Sequence, residues 1–154
     1  MKILMATMEL DIDGAETHVV ELSKYLKNMG HDLVIVSNGG VYLEEVAKAD
    51  RRICLGNIEY HYFAGYSGGA KAIMPGVSTH AAIQSNHRMM VSEDACAGKL
   101  EGNPLRADIE QVGAICGIDY IVNAVLDEHK HIVYCVAGDV TKALRVGCAY
   151  LDQM

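Results

Sequence analysis

The sequence predicts an α/β fold of the Rossmann-like kind, with a mainly parallel sheet flanked by helices and a C-terminal β-hairpin. Three observations lead to this prediction. Short apolar runs alternate with segments of helical spacing, which is typical of βαβ units with right-handed crossovers. The last two apolar runs are separated by one tight turn, which favours antiparallel strands. The 154 residues are enough for a single domain, residues 1–154, with a real core.

The first βαβ unit is predicted within residues 1–48. Residues 2–6 form a short apolar run, which indicates a buried parallel strand. Residues 15–29 carry apolar side chains at helical spacing, and Gly30 is placed to end that helix. Residues 33–36 are a second buried strand. A turn at residues 37–40 and a short helix at residues 42–48 complete the unit.

The second part of the chain adds strands and helices of the same kind. A helix begins at Asn103 and Pro104, since proline is well placed in a first turn, and Gly117 ends it near Cys116. The remaining predicted elements are strands at residues 53–56, 120–126 and 131–138, a turn at residues 127–130, and a final helix from 139 to about 152.

Composition and charge exclude several classes of protein. A net charge of −7 disfavours nucleic acid and anionic membranes as partners. No apolar run approaches the ~20 residues of a membrane span, and the apolar start of the chain is too short for a signal peptide. The five cysteines are never spaced as Cys-x-x-Cys, which indicates reduced thiols. We therefore expect a cytoplasmic protein that binds neither nucleic acid nor membrane.

Residues 60–87 are the candidate functional segment, because they combine closely spaced glycines with histidines, tyrosines and a lysine. Such glycines favour a backbone that bends sharply or lies against a ligand. The Gly-Gly-Ala-Lys run ending at Lys71 is predicted to enter a helix, which would offer N–H groups and a cation to an anion such as phosphate. His61 precedes this turn and His87 ends the following helix, so both rings are placed to face the glycines.

Each of these residues also has an ordinary structural interpretation. Lys71 can be a surface lysine, His61 a satisfied histidine near a sheet edge, and His87 a helix-end histidine favoured by the dipole. Against this, a histidine pKa of ~6.5 lies near working pH and suits proton transfer. From the residues alone the ordinary interpretation is favoured for His61, and the glycine-lysine pattern of Lys71 can also arise in an ordinary turn.

Other polar residues receive no site role from the sequence. His80 lies seven positions before His87 on the same predicted helix, and we assign it no metal. His129 and His131 resemble a metal pair only weakly. Asn103 and Asp127 lie at the ends of elements and could line a pocket, but no role follows for them.

The central segment resembles the signature of the nickel-dependent lactate racemase family. The resemblance rests on Tyr-His-Tyr-Phe-Ala-Gly-Tyr-Ser-Gly-Gly-Ala-Lys at residues 60–71, Met-Pro-Gly at 74–76 and Ser-Asn-His at 85–87. It extends over about residues 52–154, as the later half of that family's N-terminal domain. It implies a racemase of a small 2-hydroxy acid such as lactate, with cofactor-synthesis proteins as partners.

The same resemblance implies roles for individual residues. Lys71 matches the lysine joined through a thioamide to a pyridinium mononucleotide that holds nickel in a pincer. The implied cofactor is therefore a nickel pincer nucleotide, a pyridinium-thioamide-thiocarboxylate mononucleotide with nickel. His61 matches a histidine that acts as general acid/base, and His87 matches the nickel-binding histidine. The residues implied to lie against the nucleotide are Gly65, Tyr66, Ser67, Gly68 and Gly69.

Residues 1–48 resemble a different family, the N-terminal unit of family-4 GT-B glycosyltransferases. That likeness rests on Gly-Ala-Glu-Thr-His-Val-Val-Glu-Leu at residues 14–22 and Gly-His-Asp-Leu-Val-Ile-Val at residues 30–36. Asp13 stands where the pattern usually has a first glycine. Two resemblances that meet near residues 45–50 predict a chimaera, with a glycosyltransferase-like segment 1–48 and a racemase-like segment 52–154 in one domain.

Two other functions stay open from the sequence. A sugar-nucleotide glycosyltransferase would need a donor-binding domain, which residues 51–154 do not resemble. A non-catalytic nucleotide-binding α/β module would keep the glycine loop without the chemistry. As a racemase the chain is expected to be an incomplete fragment, because it lacks the family's upstream catalytic histidine and second domain. We therefore expect no racemisation by this chain alone.

Overall fold

The main feature of the computed structural model, which describes residues 1–7, 22–37 and 48–154, is a five-stranded sheet. The strands are, in chain order, β1 (Lys2–Thr7), β2 (Asp32–Ser37), β3 (Arg51–Ile58), β4 (Tyr60–His61), β5 (Gly65–Tyr66), β6 (Tyr120–Leu126) and β7 (Ile132–Gly138). The helices are α1 (His80–His87), α2 (Pro104–Cys116) and α3 (Val140–Leu151), with short 3-10 helices at Gly69–Ala72 and Arg88–Val91 and a helical segment at residues 22–28.

The order of strands in the main sheet is β2-β1-β3-β6-β7. The first four are parallel to their neighbours, and β7 pairs antiparallel with β6. The predicted α/β class, the mainly parallel sheet and the C-terminal hairpin are therefore confirmed. Because β1 pairs with both β2 and β3, the two segments distinguished in the sequence contribute strands to one sheet.

Both faces of the sheet bury apolar side chains. One face carries Ile3 and Met5, packed against leucines of the helical segment 22–28. The other face carries a larger cluster that includes Leu4, Ile121 and the buried side of α3. Burial on both faces explains why the strands read as continuous apolar runs, as parallel strands usually do.

Residues noted in the sequence set the ends of α2. The Asn103 side chain accepts hydrogen bonds from the backbone N–H groups of Leu105 and Arg106, and Pro104 occupies the first turn. Gly117 ends the helix in the left-handed conformation, with a φ of 66°. The predicted helix is confirmed at both ends.

One expected element differs and others cannot be compared. The glycine-lysine run does not enter an α-helix: Gly69–Ala72 is a single 3-10 turn, and α1 begins only after its cap, Thr79. Pro75 lies between them, and its missing N–H prevents an α-helix from continuing through the segment. The turn predicted at 37–40, the helix at 42–48 and the start of the helix at 15–29 lie almost wholly outside the described residues. Within residues 1–7, 22–37 and 48–154, no helix has the length and apolar content to cross a bilayer.

Candidate active site

A small hairpin directly after β3 carries the first candidate histidine. In the pairing of β4 with β5, His61 lies opposite Gly65. Ser67 closes the hairpin, because its hydroxyl donates to the Asn57 carbonyl at 2.9 Å and accepts the Glu59 N–H at 2.8 Å. The hairpin is therefore fixed to the end of the central strand of the sheet.

Two loop glycines stand where the fold leaves no room for a side chain. Gly65 and Gly68 have φ angles of 77° and 78°. A Cβ on Gly65 would lie 2.2 Å from the Lys99 carbonyl oxygen, and one on Gly68 would lie 3.0 Å from the Asn57 carbonyl and the Asn123 side chain. The sharp bend expected from these glycines is confirmed. On the side where a Cβ would point, the protein's own atoms fill the space, so any ligand would meet the other side of the loop.

Lys71 lies on the 3-10 helix that follows this loop, and its side chain is only 3% exposed. In the described part of the chain it has no side-chain hydrogen bond or ion pair. Burial, and then the charge of Arg106, lowers the pKa of Lys71 to about 8. The alternative that Lys71 is an ordinary surface lysine is therefore wrong.

Arg106, on α2, is a second buried cation beneath the loop, with 1% of the residue exposed. Its Nη2 donates to the Tyr66 carbonyl at 3.1 Å, and its Nε lies 4.0 Å from the Glu110 carboxylate. Nε and Nη1 have no hydrogen-bond partner among the described residues. Burial lowers the pKa of Arg106, and Glu110 offsets part of that effect. A buried guanidinium with two unsatisfied nitrogens is unusual in a folded protein.

His61 is half-buried, and its ring is held by the turn of the hairpin. Nδ1 accepts the Ala64 N–H at 3.3 Å, so in the neutral ring the proton is assigned to Nε2. Burial, followed by the electrostatic influence of Lys71, Arg106 and His87, lowers the pKa of this histidine to about 4. His61 is therefore neutral at pH 7.

His87 is the last residue of α1, and Phe63 lies between it and His61. The Phe63 ring is edge-on to both imidazoles, with ring centroids 4.6 Å from His61 and 5.2 Å from His87. The preceding residue, Asn86, is 2% exposed and donates to the Asp108 carboxylate at 2.7 Å. This bond from a buried side chain fixes the end of the helix, and with it the backbone of His87.

Two further buried asparagines hold the segment against the rest of the domain. The Asn103 amide donates to the Phe63 carbonyl at 2.9 Å, in addition to capping α2. The Asn123 side-chain oxygen, on β6, accepts the Gly69 N–H at 2.8 Å. One of the N–H groups expected to be free for an anion is thus already bonded to the protein.

Three other histidines of the described residues, His80, His129 and His131, lie away from this site. His80 is exposed at the start of α1. His129 and His131 lie on the exposed turn of the β6–β7 hairpin with ring centroids 6.0 Å apart, and Asp127 accepts hydrogen bonds from both of their backbone N–H groups. Asp127 is thus a turn residue. Within the ranges that the structure describes, no three His, Cys, Asp or Glu side chains group as metal ligands would.

The sequence interpretation missed Arg106 and Asn123, although each left a signal. Arg106 follows Leu105 on the buried side of a helix that also buries Ile109, so a charged residue interrupts the apolar surface there. Asn123 is the single polar side chain inside the buried positions of β6. Polar residues at core positions are expected to have a specific partner, and both do.

The fold and the site together define a Rossmann-like domain with a buried lysine on a glycine loop and two histidines around one phenylalanine. The sequence profile of the lactate racemase N-terminal domain matches residues 19–98. The chain therefore belongs to the lactate racemase family, and the resemblance of the central segment is confirmed.

Two lactate racemases are similar to nearly the whole chain. The lactate racemase of Lactiplantibacillus plantarum is 34% identical over 147 residues, which cover 94% of this chain and 35% of that protein. The lactate racemase of Thermoanaerobacterium thermosaccharolyticum is 33% identical over 147 residues, covering 94% of this chain and 34% of that protein. The chain thus spans about a third of the length of these relatives.

Solved structures share the fold. The lactate racemase apoprotein from Thermoanaerobacterium thermosaccharolyticum aligns with a TM-score of 0.79 at 23% identity, over 97% of this chain and 48% of that one. A Thermotoga maritima protein of known structure aligns with a TM-score of 0.72 at 13% identity, over 99% of this chain and 55% of that one. At these identities the two structures show the fold alone.

The predicted chimaera finds no support in these comparisons. The family profile begins at residue 19, and both racemases match 94% of the chain, so the similarity runs through residues 48–52 without a break. A βαβ unit of residues 1–48 has generic Rossmann-like sequence, which is shared by unrelated families. That generic pattern accounts for the likeness to glycosyltransferases.

Proposed function

We propose that this chain forms part of the N-terminal domain of a racemase for a small 2-hydroxy acid such as lactate, working with a nickel pincer nucleotide. The observation that carries the proposal is the environment of Lys71. Lys71 is only 3% exposed on a glycine loop, its side chain has no hydrogen bond or ion pair in the described part of the chain, and its charge acts on His61. Membership of the lactate racemase family supports this reaction class.

The residues present fit a covalently held nickel cofactor. An amine bonds to carbon only through its lone pair, and burial favours the uncharged form of Lys71. His87 would offer one imidazole nitrogen to nickel, a ligand type that suits this metal. When bound, the cofactor would supply an acceptor for the hydride of the substrate carbon.

His61 would handle the proton of the substrate hydroxyl. Racemisation requires that this proton is removed while hydride leaves the same carbon, and that the planar 2-keto acid then receives hydride on its other face. A base must be unprotonated when substrate binds, and His61 is neutral at pH 7 because its pKa is about 4. Once protonated, such a histidine returns its proton readily.

The loop residues would contact the nucleotide through their backbone. The Tyr66 hydroxyl donates to the Asp152 carboxylate at 2.6 Å, and the Ser67 hydroxyl donates to a backbone carbonyl at 2.9 Å. Both side chains are therefore engaged within the protein. The backbone N–H groups of Tyr66, Ser67 and Gly69 are also bonded within the protein, so a phosphate or ribose would meet the remaining backbone atoms of the loop.

Cofactor-synthesis proteins are the partners that this chemistry requires, since a modified nucleotide must be delivered to Lys71. A cytoplasmic location stays a prediction from the sequence. The five cysteines are free in the structure, which fits the expected reduced thiols. The activity, substrate and partners of a whole racemase are proposals here, because the chain spans about a third of its relatives.

Intact mass spectrometry of protein produced together with the cofactor-synthesis enzymes tests the attachment. We expect a covalent adduct that Lys71→Ala abolishes while the far-UV circular dichroism stays unchanged. Lys99→Ala, which changes a more exposed lysine paired with Asp94, is the matched control and should keep the adduct. An adduct that survives Lys71→Ala would overturn the assignment.

Metal content separates the two histidines. His87→Ala should lower the nickel bound per chain, because a fixed ligand is lost from the site. His61→Ala should leave nickel bound, because this ring is assigned to proton transfer. Equal loss of nickel from both variants would show that the roles are not divided in this way.

A further inference from the structure

Arg106 carries a buried positive charge that the described residues compensate only in part. Two of its guanidinium nitrogens have no hydrogen-bond partner there, and the third donates to a neutral backbone carbonyl. Glu110 approaches at 4.0 Å, but it also accepts a hydrogen bond from Arg145 at 3.2 Å. The negative charge of Glu110 is therefore shared between two arginines.

The helix of Arg106 packs directly on the turn that carries Lys71. A Cβ on Gly113 of α2 would lie 2.6 Å from the Ala70 Cβ, so helix and turn touch through their smallest residues. Ile109, one turn after Arg106, belongs to the same buried apolar cluster as Ala70. The nearly unexposed residues Lys71 and Arg106 thus lie on two elements in direct contact.

The surroundings of the pair add little negative charge. The titratable groups from each neighbouring element are His61 on β4, His87 on α1, Glu110 on α2, and Arg145 and the Cys148 thiol on α3. When two cations share an enclosed space, the group that holds its proton less tightly is the one that becomes neutral. A guanidinium does not lose its proton in proteins, so the amine must be that group.

We propose that Arg106 is a positioning residue for Lys71: its guanidinium fixes the glycine loop through the Tyr66 carbonyl and, as a permanent neighbouring cation, favours the uncharged amine. The direction of the lysine pKa agrees, since Arg106 follows burial as the cause of its lowering to about 8. Burial and Arg106 together lower the lysine pKa from 10.5 to about 8, which at pH 7 raises the uncharged fraction of Lys71 from about 0.03% to about 9%. The relevance to cofactor attachment rests on the proposed function, whereas the electrostatic effect does not.

The direct test is the titration of Lys71 in the cofactor-free protein, followed by NMR of lysine labelled with ¹³C at Cε. The Lys71 signal is assigned by its absence from Lys71→Met. We expect Arg106→Met to raise the Lys71 midpoint by about one pH unit, which lowers the uncharged fraction at pH 7 about tenfold. Arg145→Met, which removes a cation from the same network but not from beside Lys71, should leave the midpoint within about 0.2 units.

Amide exchange at Gly69, whose N–H donates to Asn123, reports whether the loop stays in place. If Arg106→Met loses that protection, Arg106→Gln, which keeps a donor for the Tyr66 carbonyl, replaces it in the titration. An unchanged Lys71 midpoint with Gly69 protected would overturn the proposal. The titration needs no cofactor, so its outcome is independent of adduct formation. A missing adduct would count against the proposed function, and an unmoved Lys71 midpoint would count against the role of Arg106. If both proposals hold, the pH profile of adduct formation should also move upward by about one unit in Arg106→Met.

Discussion

The two faces of the central sheet bury different kinds of side chain. The face towards the helical segment 22–28 is apolar, with Ile3, Met5 and Leu55 at its centre. The opposite face also has an apolar core, but the glycine loop and its neighbours lie there. The buried polar or charged residues of the described chain are all found in or around that loop: Lys71, Asn86, Asn103, Arg106 and Asn123.

This difference between the two faces indicates which face holds residues that serve function at a cost in stability. Buried polar groups are tolerated when they are hydrogen-bonded and are costly when they are not. The three asparagines satisfy this rule through bonds to backbone or to a carboxylate. Two nitrogens of Arg106 do not satisfy it within the described residues, and the nearly unexposed Lys71 side chain has no hydrogen bond or ion pair there. A fold selected for stability alone would replace them, so these two cations identify the functional side of the sheet.

Among the predicted effects, the largest difference in free energy of unfolding is expected between two glycine substitutions, one in the glycine loop and one outside it. Gly65→Ala places a Cβ 2.2 Å from a backbone carbonyl at a positive φ, so the loop must move, and we expect a loss of about 3 kcal/mol in the free energy of unfolding. Gly30 has a φ of 80° but open space around it, so Gly30→Ala should cost only about 1 kcal/mol. Urea unfolding of both variants gives the values. Equal losses would mean that conformation alone, and not the close approach of Lys99, sets the requirement at residue 65.

Lys71→Met should make the polar face more stable, by about 2 kcal/mol at pH 7. The folded-state pKa of about 8 lies below the value of 10.5 for a free lysine, so the unfolded chain binds the proton more tightly. The loss in free energy of unfolding caused by the charged lysine is therefore full below pH 8 and disappears as pH rises towards 10.5. Denaturant unfolding at several pH values checks this, with the more exposed Lys99→Met as control. A destabilised Lys71→Met at pH 7 would show that the amine has a favourable partner.

Local patterns predicted most of the fold, and contacts distant in sequence account for what they missed. The strand at 120–126 and the helix from Asn103 to Gly117 follow from apolar spacing and caps, which are local. The burial of Lys71 depends on α2 packing over the loop, and the role of Gly65 depends on Lys99, 34 residues later. The spacing of residue types along the sequence does not reveal such contacts. The roles of His61, Lys71 and His87, and one cooperative domain over residues 1–154, stay predictions.

The pH dependence of stability should contain a contribution from His61. Its folded-state pKa of about 4 is below the ordinary 6.5, so between these values the unfolded chain binds more protons. His61 therefore leaves the free energy of unfolding unreduced above pH 6.5, and it lowers that free energy as pH falls towards 4. We expect His61→Gln to lose less stability than the parent between pH 7.5 and pH 5, by about 1 kcal/mol after allowance for partial exposure. Parallel curves of unfolding free energy against pH for the two proteins would contradict the lowered pKa.

The smallest expected effect compares two hydroxyls that bind one carboxylate beside the loop. Tyr60 and Tyr66 both donate to Asp152, at 2.8 Å and 2.6 Å, but Tyr60 is 54% exposed and Tyr66 is 3% exposed. Water can replace a lost partner only at the exposed position. Tyr66→Phe should therefore cost about 1 kcal/mol and Tyr60→Phe about 0.3 kcal/mol, measured by urea unfolding. The double variant should cost more than the sum of the two losses, because each remaining hydroxyl can still satisfy the carboxylate. Equal single losses would mean that burial does not distinguish the two bonds, and that the polar face owes little to this attachment of its loop to the end of α3.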